Sequence, residues 1–550
     1  MVRLSQSALL EQMEAIVGAG AMSTALPDRI AYSADFWPKT QIWKQLGDIE
    51  RFPPDCVVWP NSVAQVQAIV SFCNEAAVPI VPYGGGSGVC GGTIPIHGGV
   101  VLDMKRIRAM RSVDLESNTF EAEAGINGQH LEDHLNASGL TLGHFPSSIM
   151  CSTLGGWLAT RSSGQFSSRY GKIEDMVQSL EVVMPDGSVM DTRHRTPGAP
   201  DWTQLFVGSE GTLGVITSAI LKAHPMPEER RLRGWRFRQL KDALRAMRAV
   251  MQAGLRPMVL RLYDPFDSMI ALSGQKPGPV SAASGGRAPS PLRGLWDGAV
   301  KGSTERISRL MAPLEKAVKR RALITALSAP PVVNRMTAHL PVSCLMIIGF
   351  EGQAAMTQSD MAAAARILVD HGGTDSGARP GEAWLAKRYS VGFKQTKMFE
   401  LGAFVDTMEV ATTWDRLNTL YEAVRAALTP HAFVMAHFSH AYREGCSIYF
   451  TFGAYRVDPK RAEQHYERCW EMATDAALSA GATLSHHHGV GLSKRSGMTR
   501  EHGAMLKVGH ALKHTLDPHN IMNPGKLLPD EDEATMQTLG PDASRQRAGL

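Results

Sequence analysis

Three consecutive histidines, His486, His487 and His488, stand inside Ser485–Gly491 as the most unusual set of titratable side chains in the sequence. Imidazoles relay protons near neutral pH or ligate metals. In an extended segment His486 and His488 would share one face and His487 would point to the other. Metal ligation needs further ligands, and none stands at a recognisable spacing, so no metal is expected. Upstream, Ser447-Ile-Tyr-Phe-Thr-Phe452 alternates polar and apolar residues. Period two puts Ile448, Phe450 and Phe452 on one face and Ser447, Tyr449 and Thr451 on the other. Tyr449 is therefore on the polar face, either as a proton-transfer group or as a hydroxyl tied to a carbonyl.

The other chemical signal is glycine, which clusters in Tyr83-Gly-Gly-Gly-Ser-Gly-Val-Cys-Gly-Gly92. Consecutive glycines let backbone N–H groups converge on an anion at close range. A nucleotide-binding loop of the Walker type would end in Gly-Lys-Ser/Thr, which is absent. Gly86-x-Gly88-x-x-Gly91 matches the dinucleotide fingerprint formally, but that motif must open a helix. Thr93-Ile-Pro-Ile-His-Gly-Gly99 follows instead and cannot form one. A strand–loop–strand phosphate cradle and a merely flexible loop are left, and the loop alone does not choose between them.

These residues need a large scaffold. The chain has 550 residues, 44% hydrophobic and 20% charged, which implies at least two domains with ordinary cores. A net charge of +4 gives no argument for nucleic-acid binding. Seven scattered cysteines without a CxxC pair argue against a disulfide framework or a zinc ribbon. With no apolar stretch near about 18 residues, no secretory signal and no peroxisomal address at Arg-Ala-Gly-Leu550, a cytoplasmic location is expected.

Along the chain, residues 1–50 read as a helical lead-in and 51–225 as a strand-rich α+β domain. A second α+β domain spans 226–500, and 501–550 forms a C-terminal segment ending in a polar tail. Ser62 caps a helix with Val66, Ile69, Val70 and Cys73 on one face. Val78–Tyr83 reads as a short strand whose prolines put it at an edge or at a strand end. Residues 273–304, dense in Gly, Pro, Ser and Ala, read as a mobile loop. The basic stretch Lys316–Arg321 reads as a solvated helix face, with a peripheral membrane contact as the alternative.

Four further blocks recur in order after the glycine loop: Gly143–Trp157, Thr160–Gly164, Tyr170–Asp175 and Gly208–Thr217. Together they resemble the vanillyl-alcohol oxidase, or p-cresol methylhydroxylase (PCMH) type, flavoprotein family over about residues 50–528. The resemblance implies an α+β fold: a PCMH-type FAD-binding domain of two subdomains at 51–225, and a substrate or cap domain with an antiparallel sheet at 226–500. The C-terminal segment would return to the FAD domain. Pro82, Gly84, Gly85, Gly86, Ser87 and Gly88 would then cradle the pyrophosphate. Pro146, Ser147, Ser148, Thr153, Gly155, Gly156, Ser163, Gly164, Glu210, Gly211 and Ile216 would line the flavin and its ribityl-adenosine arm. Some members tether flavin through a histidine near the loop; none lies between 81 and 96, and His97 falls beyond it, so noncovalent FAD is expected. Lys526 is a candidate contact near the flavin, against the ordinary reading of a solvated lysine.

The histidine run, Cys446–Phe450 and Met150–Trp157 are most similar to one branch of that family, the alkyldihydroxyacetonephosphate synthases. The likeness implies proton transfer by Tyr449 and His486–His488 beside the flavin, with Arg261 in the active site. That branch exchanges the acyl group of a substrate for a fatty alcohol through a flavin N5 adduct. Nineteen residues before Trp414, where the synthases carry an arginine, this chain has Gln395, flanked by Lys394 and Lys397. Glutamine cannot supply the charge of a guanidinium fork. The leading expectation is therefore an FAD-dependent oxidoreductase passing hydride from an alcohol or 2-hydroxy acid to flavin N5. The synthase reaction is the alternative, and a non-catalytic FAD-binding scaffold the second alternative. A small-molecule substrate is expected, and the family suggests a homodimer.

Overall fold

In the computed structural model, which describes residues 5–193, 200–273, 324, 327–338, 343–390, 396–456 and 458–529, the N-terminal half carries two principal sheets and the C-terminal half one. The first has four strands in the order Met22–Ser23, Cys56–Val58, Val100–Asp103, Ile80–Tyr83, the last three parallel. Parallel strands are buried on both faces, which is why Cys56–Val58 and Val100–Asp103 are solvent-free throughout. Helix Val63–Ala76 covers this sheet with Val66, Ile69, Val70 and Cys73, and Ser62 caps it by accepting the Gln65 N–H at 3.3 Å. Ile80–Tyr83 lies at the edge, as Pro82 requires. That edge is sealed by the C-terminal segment: Ile80 donates its N–H to Ile521 O and accepts from Asn523, both at 2.7 Å.

The second sheet is antiparallel, ordered Met110–Asp114, Thr119–Glu123, Val215–Lys222, Val177–Val183, Val189–Asp191. The third has seven antiparallel strands: Thr374–Asp375, Glu229–Phe237, Cys344–Gly352, Val259–Tyr263, Phe433–Ala441, Gly445–Tyr455 and Ala403–Thr413. Ile448, Phe450 and Phe452 are solvent-free in its core, so the alternation expected around Tyr449 holds. The fold is α+β with an antiparallel sheet in its second half, as expected. Helices Leu417–Leu428 and Pro459–Ser479 close the far face of that sheet with Leu420, Val424, Tyr466 and Ala473.

No helix among the described residues is long and apolar enough to cross a membrane. The segment beyond Ser273, Lys316–Arg321, Lys394, Gln395 and the tail from 530 lie outside the described residues.

Candidate active site

A cavity of about 910 Å³ runs between the N-terminal sheets and the seven-stranded sheet. Its size falls in the range of small-molecule sites. The loop Gly84–Gly88 walls one region, together with Pro82. Gly85 is pressed so close to the neighbouring segment that a Cβ would lie 2.0 Å from Cys151 O, and one on Gly84 would lie 2.3 Å from Thr153 Oγ1. No hydrogen bond within the described residues takes the N–H groups of Gly84 through Gly88. A row of unsatisfied backbone donors beside a cavity suits an anion. Pro146, Ser147, Ser148, Thr153, Gly155, Gly156, Ser163, Glu210, Gly211 and Ile216 line the same space. Gly164 does not: it packs against the backbone of His144 and Phe145, where a Cβ would come 2.5 Å from Phe145 N.

Two long-range ties couple the halves. Glu210, buried and at φ 52°, accepts the N–H groups of Val490 and Gly491 through its two carboxylate oxygens. Asn523 donates to Glu210 O at 2.7 Å and to Gly92 O at 2.9 Å. Lys526 is no solvated lysine: it is 3% exposed and donates to Ile94 O at 2.7 Å. Burial pulls its ammonium down to about 8, against the opposing pull of Asp35 and Glu210.

Tyr449, His487, His488 and Arg261 line the cavity, but His486 does not. The segment is not extended, so the expected pairing of His486 with His488 on one face fails. The Glu409 carboxylate accepts both the His486 N–H (3.0 Å) and the His487 N–H (3.3 Å), bending the backbone and turning His487 and His488 together towards the cavity. The Tyr449 hydroxyl lies between two imidazoles, 2.7 Å from His487 Nε2 and 2.8 Å from His440 Nε2. His440 Nδ1 in turn lies 2.7 Å from Ser167 Oγ and 3.0 Å from Ser163 Oγ. His437 stacks on the Tyr449 ring at 4.6 Å and meets Asp267 Oδ2 through Nδ1 at 3.2 Å.

Burial sets the protonation states. It pushes the Tyr449 phenol well above its ordinary value, with the Glu409 charge adding to the shift. It drives His437, His440, His487 and His488 well below theirs, so these imidazoles are neutral at pH 7. Burial also raises Asp267 to about 7, opposed by Arg261. Arg261 donates to Ser439 Oγ at 3.3 Å, while its buried Nε has no partner. Ligand atoms of Glu409, His486 and His487 lie within 4.8 Å of one another, a separation a metal could bridge. The solvent-free ammonium of Lys494, which donates to Glu409 O, already supplies positive charge there.

His437, His440, Asp267 and Glu409 were not singled out by sequence. Glu409 carried a signal, one of two carboxylates, with Asp406, in the otherwise uncharged strand Ala403–Thr413, and it stands directly opposite Tyr449. His440 carried none. By alternation it faces away from His437, but a register shift between Ser439 and Ala441 and a φ of 52° at His440 turn it back to the cavity.

Residues 54–193 match the FAD binding domain model and 226–527 the model for the C-terminal domain of FAD-linked oxidases. The chain belongs to the FAD-linked oxidase family. Alkyldihydroxyacetonephosphate synthase of Dictyostelium discoideum is 31% identical over 488 residues, covering 86% of this FAD-linked oxidase and 73% of the relative. The mitochondrial D-lactate dehydrogenase [cytochrome] of Arabidopsis thaliana is 28% identical over 489 residues, covering 86% and 74%. A solved alkyldihydroxyacetonephosphate synthase superposes with a TM-score of 0.72 at 27% identity, covering 94% of this chain and 86% of that one. The family's members are enzymes and FAD is the cofactor. The unfilled donors of Gly84–Gly88 and the cavity beyond them fit it, and no histidine stands in the loop to tether it.

Proposed function

We propose that the protein is an FAD-dependent oxidoreductase acting on a hydroxylated substrate with an apolar portion, an alcohol or a 2-hydroxy acid. The observation that carries this reading is the Tyr449 hydroxyl, facing the cavity between two neutral imidazoles. When bound, FAD supplies the hydride acceptor. Tyr449 takes the substrate's hydroxyl proton, and His487 and His440 hold that phenol in place. Arg261, with its unpartnered Nε, orients a carboxylate. Phe266, Leu345, Ile347, Trp384, Phe433 and Met435 wall the remaining space and exclude water from an apolar chain. Gly84–Gly88 with Pro82 hold the pyrophosphate, while Thr153, Gly155, Gly156, Glu210, Gly211 and Ile216 flank the rest of the cofactor.

That apolar wall also supports a second reading, the exchange of acyl for alkyl on a lipid that the resemblance to the alkyldihydroxyacetonephosphate synthases implies. An anaerobic screen with hydroxy acids, alcohols and acyl-dihydroxyacetone phosphate plus fatty alcohol separates the two. The oxidoreductase bleaches its flavin with a hydroxylated substrate and no co-substrate. Release of fatty acid with the flavin returning oxidised replaces that reading with the exchange.

Asp267 gives the site a pH dependence. Its raised value leaves it neutral below about pH 7 and ionised above, where it competes with an anionic substrate for Arg261. KM for a 2-hydroxy acid should rise up to about tenfold from pH 6 to pH 8, as one pKa unit of coupling allows. Asp267→Asn should abolish the rise. A KM independent of pH in the wild type would remove Asp267 from substrate binding.

A further inference from the structure

We infer that Glu409 and His440 set the direction in which Tyr449 passes its proton, Glu409 as a positioning residue acting through His487 and His440 as a donor to the phenol oxygen. The inference rests on the proposed role of Tyr449 as proton acceptor and deepens it.

The hydrogen-bond inventory around one hydroxyl carries the argument. Tyr449 has a single proton and two imidazole nitrogens within 2.8 Å, so it donates to one and must accept from the other. Each neutral imidazole carries one N–H, and its other partner decides which nitrogen holds it. His487 Nδ1 lies 3.4 Å from Glu409 Oε1 and 3.0 Å from His486 Nδ1. Glu409 is solvent-free, and Oε1 is the oxygen that its backbone bonds leave without a partner. Burial alone would raise this carboxyl, but the Lys494 charge and the backbone N–H of His486 offset that and leave it below its ordinary value, hence ionised. His487 Nδ1 has His486 Nδ1 as its hydrogen-bond partner and the Glu409 carboxylate beside it, unbonded, at 3.4 Å; that negative charge favours the proton on Nδ1, which leaves Nε2 bare.

His440 has the opposite surroundings. Its Nδ1 faces two serine hydroxyls, Ser163 and Ser167, both able to donate. Its proton therefore sits on Nε2 and points at the Tyr449 oxygen. The chain then reads in one direction: the substrate hydroxyl loses its proton to the Tyr449 oxygen while the O–H bond of Tyr449 breaks and that proton bonds to His487 Nε2. The substrate oxygen keeps the electron pair. His487 becomes a cation balanced by Glu409, and His440 steadies negative charge on the phenol oxygen during the transfer. A carboxylate that fixes an imidazole's tautomer for a hydroxyl beyond it is the logic of a hydrolase triad, here ending on a phenol.

Glu409→Gln distinguishes relay from bystander by sign. The Glu409 charge raises the Tyr449 phenol, so removing it makes the phenol more acidic, and a tyrosine acting alone would keep or gain rate. A glutamine still accepts the His486 and His487 N–H groups, but its amide donates to Nδ1 and moves the imidazole proton to Nε2, where His487 cannot accept.

The test is ¹⁵N NMR of histidine-labelled, FAD-loaded protein, assigned with His487→Gln and His440→Gln, together with anaerobic flavin reduction using 2-hydroxypalmitate as probe. Wild type should show His487 protonated at Nδ1 and His440 at Nε2. Glu409→Gln should lose the His487 preference and slow flavin reduction about 10²- to 10³-fold with FAD content unchanged. A wild-type His487 protonated at Nε2 would overturn the inference. So would a Glu409→Gln variant reducing its flavin at the wild-type rate, or a stoichiometric zinc ion found on Glu409, His486 and His487. The tautomers are read without substrate. A wild type whose flavin no probe bleaches therefore sinks the oxidoreductase reading alone, and the NMR still decides this one.

Discussion

Tyr449→Phe should lower the rate of flavin reduction by about 10³-fold, within the range general acid–base groups contribute, while the protein still purifies with FAD. The phenyl ring keeps the stacking on His437 at 4.6 Å and the packing against His440 and His488. What disappears is one oxygen, bonded to His487 Nε2 and His440 Nε2. Two buried ring nitrogens then lose a partner, at a cost of about 1–3 kcal/mol each if nothing replaces it. The cavity admits water there, so the measured loss of stability should stay at the low end. KM should change little, because the hydroxyl matters when the proton moves and contributes little to holding the substrate. Single-turnover flavin reduction and FAD content, measured side by side, check this. A variant within tenfold of wild type would remove the hydroxyl from the reaction.

Gly85→Ala should release the cofactor. The added Cβ would lie 2.0 Å from Cys151 O, 3.0 Å from Cys151 C and 3.1 Å from Ser152 Cα, all backbone atoms. That wall cannot retreat: Cys151 and Ser152 both donate their N–H groups to Ser148 O, and Ser152 O accepts from Gly128. The loop must move instead, and on its other side lies the cavity. Displacement by even an ångström misaligns the N–H groups of Gly84–Gly88, whose convergence is what binds a pyrophosphate. Overpacking of this kind costs about 1–3 kcal/mol of folding stability, so the apoprotein should remain folded. Its affinity for FAD should fall at least about 100-fold, the effect of roughly 2.7 kcal/mol. Flavin absorbance of the purified variant and titration with added FAD read this directly. A yellow Gly85→Ala protein with full FAD content would show that the loop does not hold the pyrophosphate.

Both predictions draw on residues legible in the sequence, for a shared reason. The glycine loop announces itself because its composition is local, a run of glycines read in order, although the wall that presses on it at Cys151 and Ser152 is distant in the chain. Tyr449 announces itself because a strand's period of two is also local. Ser62, Pro82 at a sheet edge and the Ile448–Phe450–Phe452 stripe belong to the same class.

What escaped the sequence depends on distant partners. His440 reaches Tyr449 through a bulge, and one inserted residue reverses the face of everything that follows. His486 and His487 exchange places because a carboxylate 77 residues away in the chain takes the His486 N–H and bends the segment. Lys526 looks like a surface lysine until the C-terminal segment docks on Ile80 and carries it under the loop at Ile94.

The sequence by itself determined an α+β flavoprotein of the FAD-linked oxidase family, its glycine cradle and the phenol on a polar strand face. Periodicity, turn chemistry and the clustering of glycine operate over a few residues, so they can be read in order along the chain. Only the tertiary structure decided which imidazoles meet that phenol and which carboxylate orients them. Hydrogen-bond partners inside a cavity are chosen by strand register and domain docking, and those are properties of the whole chain.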